Sequence, residues 1–348
     1  MFTSASLLVL VLLLLAVGAL CTVVRLTLAK QRLQNKPARP YCHDRCKFDA
    51  AEVRRTALLA TPKIDTTNLS PADPKVAALL ASVDVTRVKN LLDQLTGECD
   101  VTVNGNTVRI ASRNTFSTDL DFALSFLEQF YRSMGFKPKS QAKPGEKFFY
   151  RHEYTRSRRK LYNLIAEIPG AVTPAKVLIV GSHIDSTAGN THSPEKVAPG
   201  ADDDASGSIA VTELVRAIAN LQAGCTIRFC HFSGEEQGLW GSEAYAEDVA
   251  NQKTDVMAMI QMDMVGYCGL PGNRVDIHDD VDANGAHAIV VALVQNAARY
   301  KLSLKPVDTH NHAVTGRSDH APFQDRKIKA VLVSEEFTDQ GFNPNYHS

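Results

Sequence analysis

A short apolar block at 176–181, K-V-L-I-V-G, constrains this chain more than any other segment. A strand with apolar side chains pointing both ways needs cover on both faces, and the usual solution is a parallel sheet between two layers of helices. Similar blocks recur at 226–232, 256–263 and 330–334, and another at 162–168 ends in the turn pair Pro169-Gly170. Helical patterns fill the gaps at 206–219, 237–249 and 283–300. Upstream, Val85, Val88, Leu91, Leu92 and Leu95 fall at helical spacing. The segment 119–134 carries Leu120, Ala123, Leu124, Leu127 and Tyr131 on one face, with Gly135 as its stop. The pattern predicts an α/β fold, a three-layer α/β/α sandwich with a mostly parallel central sheet. In such sheets ligands gather where loops leave the carboxyl ends of strands.

The ends of the chain read differently. Residues 7–24 are nearly unbroken apolar side chains, so 1–24 is expected to be a signal peptide or a signal-anchor transmembrane segment. Arg25, Lys30, Arg32, Lys36 and Arg39 follow it. The segment 25–82, with Pro37, Pro40, Pro62, Pro71 and Pro74 and little periodicity, is expected to be a juxtamembrane stalk or pro-like region. The folded domain is expected over 83–348. These features place the chain in the secretory pathway, membrane-anchored through its N-terminal segment or secreted. Lys+Arg and Asp+Glu both number 38, so no global basic field points to nucleic acid. Seven cysteines without a C-x-x-C pair exclude a disulfide scaffold, and Cys225 and Cys230 read as small core residues.

The informative charge is local. His183 and Asp185 follow the first apolar block as G-S-H-I-D, a spacing that lets a carboxylate orient a ligating imidazole. Asp202, Asp203 and Asp204 stand in a tight turn, P-G-A-D-D-D-A-S-G, directly before an apolar helix. At least one of the three is expected to face inward, where adjacent carboxylates need a cation. Glu235 and Glu236 follow another strand; one can bind metal while its neighbour serves as general base. Asp263 ends a strand of mostly apolar residues, and His347 follows the N-P-N-Y turn. Imidazoles and carboxylates gathered at strand ends suit zinc with an open coordination position.

These segments, G-S-H-I-D-S-T through V-A-P-G-A-D-D-D-A-S-G, F-S-G-E-E-Q-G-L-W-G-S, Q-M-D-M, S-D-H-A and N-P-N-Y-H, resemble the co-catalytic dizinc aminopeptidases typified by secreted bacterial leucyl aminopeptidases. The resemblance runs from about 85 to 347. It implies a zinc-peptidase sandwich holding two Zn2+ per chain: His183 and Asp263 on one ion, Glu236 and His347 on the other, Asp203 bridging. It also implies Glu235 as general base toward a water shared by the ions, and Asp185 as support for His183. The implied substrates are peptides with a free N-terminus, often with a large apolar first residue. Met264, Ile277, Leu332 and Phe337 are the candidates for the side-chain pocket. The family continues past its last histidine, so a truncated C-terminus is expected here. His310 and His312 read as loop residues. The alternatives are a dizinc carboxypeptidase of the same superfamily, which needs a cationic pocket that Arg317 and Arg274 would have to supply, a single-zinc glutaminyl cyclase, and a non-catalytic, membrane-anchored binding domain.

Overall fold

Helix starts are set by aspartates at the edge of the fold. The Asp73 carboxylate accepts from the Lys75 N–H and opens helix α1, Pro74–Ala81; the Asp84 carboxylate accepts from the Thr86 N–H and opens α2, Val85–Leu95. The computed structural model describes residues 64–269, 273–279, 285–309, 316–337 and 341–347. The apolar segment at 7–24 and the loop histidines His310 and His312 lie outside these. Among the described residues no helix is long and apolar enough to cross a membrane. Helix α1 falls inside the stretch read as a stalk. Val76 of α1 is buried, and Ile64, Leu79 and Leu80 pack against the main core. The Gln295 side chain donates to the Asp65 carbonyl at 3.0 Å, so contact with the domain begins well before residue 83.

A small hairpin of β1, Val101–Val103, and β2, Asn106–Val108, leads to α3, Asp119–Ser133, which buries the predicted face of Leu120, Ala123, Leu124, Leu127 and Tyr131. The main sheet is built from β3 (Lys137–Pro138), β4 (Phe148–Arg156), β5 (Arg159–Ile168), β6 (Thr173–His183), β7 (Cys225–Phe232), β8 (Asp255–Met262), β9 (Arg274–His278), β10 (Lys305–Asp308) and β11 (Ala330–Ser334). Their order is β10-β9-β11-β8-β6-β7-β5-β4-β3. The four central strands, β11, β8, β6 and β7, run parallel to their neighbours within the group. Antiparallel pairs flank them, β9 with β11, β7 with β5 and β5 with β4.

The remaining helices are α4 (Gly207–Ile218), α5 (Trp240–Asn251), α6 (His287–Arg299) and α7 (Ala321–Asp325). They cover both faces. Leu178 and Val180 of β6 join the core that includes α2, α3, α4 and α6. Val177 and Ile179 point the other way, into a second core with Tyr245, Ala246 and Val249 of α5 and Phe323 of α7. This is the predicted α/β/α sandwich, and the two-sided burial of β6 is what its unbroken apolar run requires. Cys225 and Cys230 are fully buried in β7, as expected.

Under the carboxyl ends of the strands lies a directed chain of buried hydrogen bonds. The His183 carbonyl can only accept, so the Ser208 hydroxyl donates to it, at 2.8 Å. The Ser182 hydroxyl can then donate to Ser208 Oγ at 3.3 Å, and His231 Nδ1–H to Ser182 Oγ at 3.1 Å. That leaves His231 Nε2 as acceptor from the Tyr131 hydroxyl at 2.6 Å. Each member donates onward, and the chain ties α3, β7, β6 and α4 to His183.

Burial holds the His231 imidazole neutral and pushes its pKa from 6.5 down to about 3. The unfolded chain therefore binds a proton that the folded one refuses. The stabilisation is present above pH 6.5 and is lost as pH falls toward 3, by on the order of a few kcal/mol. Denaturant unfolding of the wild type at stepped pH is expected to show falling stability across that window. A His231→Gln variant, less stable at neutral pH, should show a shallower slope.

Candidate metal centre

The parallel strands deliver the functional side chains to one edge of the sheet. His183 is the last residue of β6, Glu235 and Glu236 follow β7, and Asp263 follows β8. The Asp202–Asp204 run lies between β6 and α4 in a turn that opens at Gly200, whose φ is +45°. His183 Nε2 is 3.0 Å from Asp203 Oδ1 and 3.4 Å from Asp263 Oδ1. His347 Nε2 is 3.1 Å from Asp203 Oδ2 and 3.0 Å from Glu236 Oε2. One carboxylate thus presents one oxygen to each imidazole. All five predicted donors come together, and Asp203 stands between the two halves.

Why the middle aspartate? Its neighbours are engaged by the backbone. Asp204 Oδ2 accepts from the His183 N–H at 3.0 Å; its Oδ1 accepts from Gly207 N–H at 2.8 Å and Met264 N–H at 3.3 Å. Asp202 Oδ1 accepts from Gly266 and Tyr267 N–H groups at 2.8 and 3.0 Å. The Asp204 oxygens also approach the His183 and Asp263 donors, but three N–H groups already occupy them. Gly207 makes this packing possible. A Cβ there would lie 2.4 Å from the Met262 carbonyl and 2.5 Å from Asp204 Oδ1.

Asp185 acts differently from the expectation. His183 Nδ1–H donates to its backbone carbonyl at 3.1 Å, while its carboxylate oxygen stands 3.7 Å away. That carboxylate accepts instead from the N–H groups of Glu235 (3.2 Å) and Glu236 (3.3 Å) and from the Thr115 hydroxyl (2.8 Å). Asp185 therefore fixes the His183 ring with its main chain and pins the Glu235–Glu236 loop with its side chain. Beneath these loops the buried Arg113 guanidinium donates to the carbonyls of Leu95, Ile184, Pro199 and Gly200. Its burial lowers its pKa to about 10, opposed by the nearby carboxylates of Asp204 and Asp185.

The electrostatics fit a cation site. Burial works against the charge on Asp203, yet the imidazoles of His183 and His347 hold it below the usual carboxylate range. Burial likewise opposes charge on His347, but Glu236 and Asp203 draw that imidazole up to about 11. Glu236 is raised to about 7, by burial first and by Asp203 next. Burial raises Glu235 well above its ordinary range, with Asp263 and Glu236 adding to the effect. A divalent cation competes with these protons for the same atoms. His183 Nε2, His347 Nε2, Asp263 Oδ1 and Glu236 Oε1 are buried without a hydrogen-bond partner, although both imidazole nitrogens stand within 3.0–3.4 Å of carboxylate oxygens. Such orphaned donors, two imidazoles and two carboxylates with the Asp203 carboxylate between them, are the kind that zinc takes.

A solvent-open pocket leads to the centre, lined by Asp203, Glu235, Asp263, Met264, Arg317, Ser318, Leu332, Phe337, Phe342 and Tyr346. Met264, Leu332 and Phe337, the candidates for a side-chain pocket, all line it. Ile277 does not. It pairs with Val333 and shares its sheet face, in the core, whereas Leu332 and His278 point the other way. Phe342, Tyr346 and Ser318 were not predicted. Ser318 donates to Asp263 Oδ2 at 2.6 Å. The aromatic spacing in F-N-P-N-Y-H, on either side of the N-P turn, was the available signal.

The model of peptidase family M28 matches residues 163–348, more than half of the chain. The chain belongs to peptidase family M28. Among curated relatives it is 33% identical over 201 residues to leucine aminopeptidase 1 of Metarhizium robertsii, covering 54% of this chain and 48% of that protein. It is 40% identical over 104 residues to a probable zinc metalloprotease of Pyrenophora tritici-repentis, covering 30% and 22%. The chain thus spans about half the length, or less, of these relatives. Among solved structures it is similar to the LapA aminopeptidase of Legionella pneumophila, with a TM-score of 0.62, 19% identity and coverage of 84% and 70%. It is also similar to the glutaminyl cyclase of Macrostomum lignano, with a TM-score of 0.56, 18% identity and coverage of 83% and 89%. At these identities the structural likenesses speak to the M28-type fold alone.

The division of labour among the aspartates can be separated by experiment. Asp203→Ala is expected to lower zinc uptake at least about tenfold, with little loss in the thermal midpoint of the metal-free protein. Asp204→Ala leaves three buried N–H groups without an acceptor, at roughly 1–3 kcal/mol each, and should lower that midpoint by several degrees. Metal analysis and differential scanning calorimetry of the two variants check both outcomes.

Proposed function

We propose that the chain is a metal-dependent aminopeptidase that holds two zinc ions and hydrolyses the N-terminal bond of peptides with a large apolar first residue. The observation that carries this reading is Asp203, which offers one oxygen beside His183 and the other beside His347, with Glu235 lining the same pocket. His183 and Asp263 would hold one ion, Glu236 and His347 the other. When bound, such ions acidify water and polarise a carbonyl oxygen. Glu235 is placed to take the proton from the attacking water and to return it to the leaving amine, which suits a carboxyl whose affinity for protons is raised by burial. Met264, Leu332, Phe337, Phe342 and Tyr346 supply the apolar wall that would take the first side chain. The Asp263 carboxylate at the pocket favours a free ammonium at the substrate's N-terminus.

A carboxypeptidase of the same superfamily is the second reading, favoured by Arg317 at the pocket. The other candidate cation, Arg274, is engaged with Asp276 at 2.6 Å and Glu336 at 3.1 Å, so Arg317 would have to recognise a substrate carboxylate without it.

Aminoacyl p-nitroanilides are expected to be cleaved, leucyl and phenylalanyl ahead of alanyl, and N-blocked peptides to be spared. A chelator should abolish turnover and zinc restore it. Glu235→Gln should keep its zinc and lose on the order of 10²–10⁴ in kcat; a near-normal rate would refute its role as base. Preference for N-blocked peptides would favour the carboxypeptidase. Phe337→Ala should raise KM for the phenylalanyl substrate several-fold more than for the alanyl one.

A further inference from the structure

The two halves of the centre are mounted differently. His183 is anchored in β6, whose ladder pairs it with Phe232 of β7 and holds the strand against β8. His347 stands on an irregular segment, 341–347, with no strand or helix of its own. Something must fix that segment if its imidazole is to meet Asp203.

We propose that Asn343 is the positioning residue for His347, acting through a clamp with Asp202 and Glu335. Asn343 is 7% exposed and uses all of its polar groups. Its side-chain amide donates to Asp202 Oδ2 at 2.7 Å, and its N–H donates to Glu335 Oε1 at 3.0 Å. Its side-chain oxygen accepts from Asn345 N–H at 2.9 Å, and its carbonyl from Tyr346 N–H at 3.2 Å. The first pair ties the segment to the body. The second pair folds the next turn and aims the residue that follows it. Glu335 follows β11, and its own N–H donates to the Met264 carbonyl at 2.7 Å. The Asp202 carboxylate also accepts from Gly266 and Tyr267. Asp202 therefore gathers the loop after Asp263 and the segment bearing His347 at a single carboxylate, next in sequence to the bridging Asp203. The aromatic contacts of Phe342 with Phe337 and Tyr346 add packing but no direction as specific as these bonds.

The inference rests on the two-ion reading above and concerns one ion of the pair. The test is zinc binding, measured by competition with a chromogenic chelator, in the wild type, Asn343→Ala, His347→Ala and the double variant. The wild type should take up two ions. Asn343→Ala should weaken the ion held by Glu236 and His347 by roughly 10–100-fold, and the other by less than about threefold. In the His347→Ala background, Asn343→Ala should change nothing further, a coupling that a general loss of structure would not give. Exchanging the partners, Asp202→Asn with Asn343→Asp, rebuilds the side-chain bond with opposite polarity and should recover most of the lost affinity. Thermal midpoints of the metal-free proteins report folding; if Asn343→Ala does not fold, Asn343→Gln, which keeps the amide but shifts it by one methylene, should show the same split. Equal weakening of both ions, no weakening, or an added loss in the His347→Ala background would overturn the clamp. A wild type that takes up a single ion would overturn the two-ion reading itself, and the clamp with it.

Discussion

Backbone N–H groups from separate loops converge on Asp202 and Asp204, and that convergence frees Asp203 for another use. Three adjacent buried carboxylates repel one another and are costly to desolvate. Two of them answer that cost with peptide dipoles. The third is left between two imidazoles, so the cheapest remaining partner is a cation. The acidic run is thus one device in which the outer members build the loop and the middle member is left facing the two imidazoles.

The same economy recurs around the centre. Asp185 fixes His183 through its carbonyl and the Glu235–Glu236 loop through its carboxylate. Arg113 ties together the loops after β6 and before the acidic run by donating to four carbonyls rather than to a carboxylate. Its charge offsets the surrounding acids without competing for them. The chain from Tyr131 through His231, Ser182 and Ser208 supports His183 from below. The placement of His183 is therefore specified two contacts deep, as an imidazole that is to hold a metal would require.

How much of this was legible in the sequence follows from which signals are local. The apolar blocks of β6, β7, β8 and β11 and the helices between them are visible because each buries both faces or one stripe of its own residues. β9 and β10 were missed, since R-V-D-I-H and K-P-V-D hold too few apolar residues to stand out, and pairing creates them. The same holds for β4, whose F-F-Y-R-H-E-Y-T-R carries no clean alternation. The short α1 was hidden by the prolines around it, of which Pro74 takes the first helical position, where a missing N–H costs nothing. The five donors could be found because each ends a strand or sits in a distinctive turn. Ile277 was misassigned because strand parity cannot be known before the strand is recognised. The N-P-N-Y turn was visible, but the bond from Asn343 to Asp202 was not, since a hydrogen bond that joins residues 141 positions apart leaves no trace in either neighbourhood. Asp185 is only two residues from His183, but sequence does not tell whether its carboxylate or its carbonyl meets the imidazole.

Gly207 carries a consequence for the malleability of the centre. Its missing side chain lets the amino end of α4 press against both the Met262 carbonyl and the Asp204 carboxylate. A methyl group at 207 would not touch a ligating atom, yet it would have to displace the acid that secures His183 from behind. The tolerance of that helix position is therefore governed by the end of β8 and by the acid three residues upstream, and a change as mild as glycine to alanine would move the start of α4 and the support of His183 together.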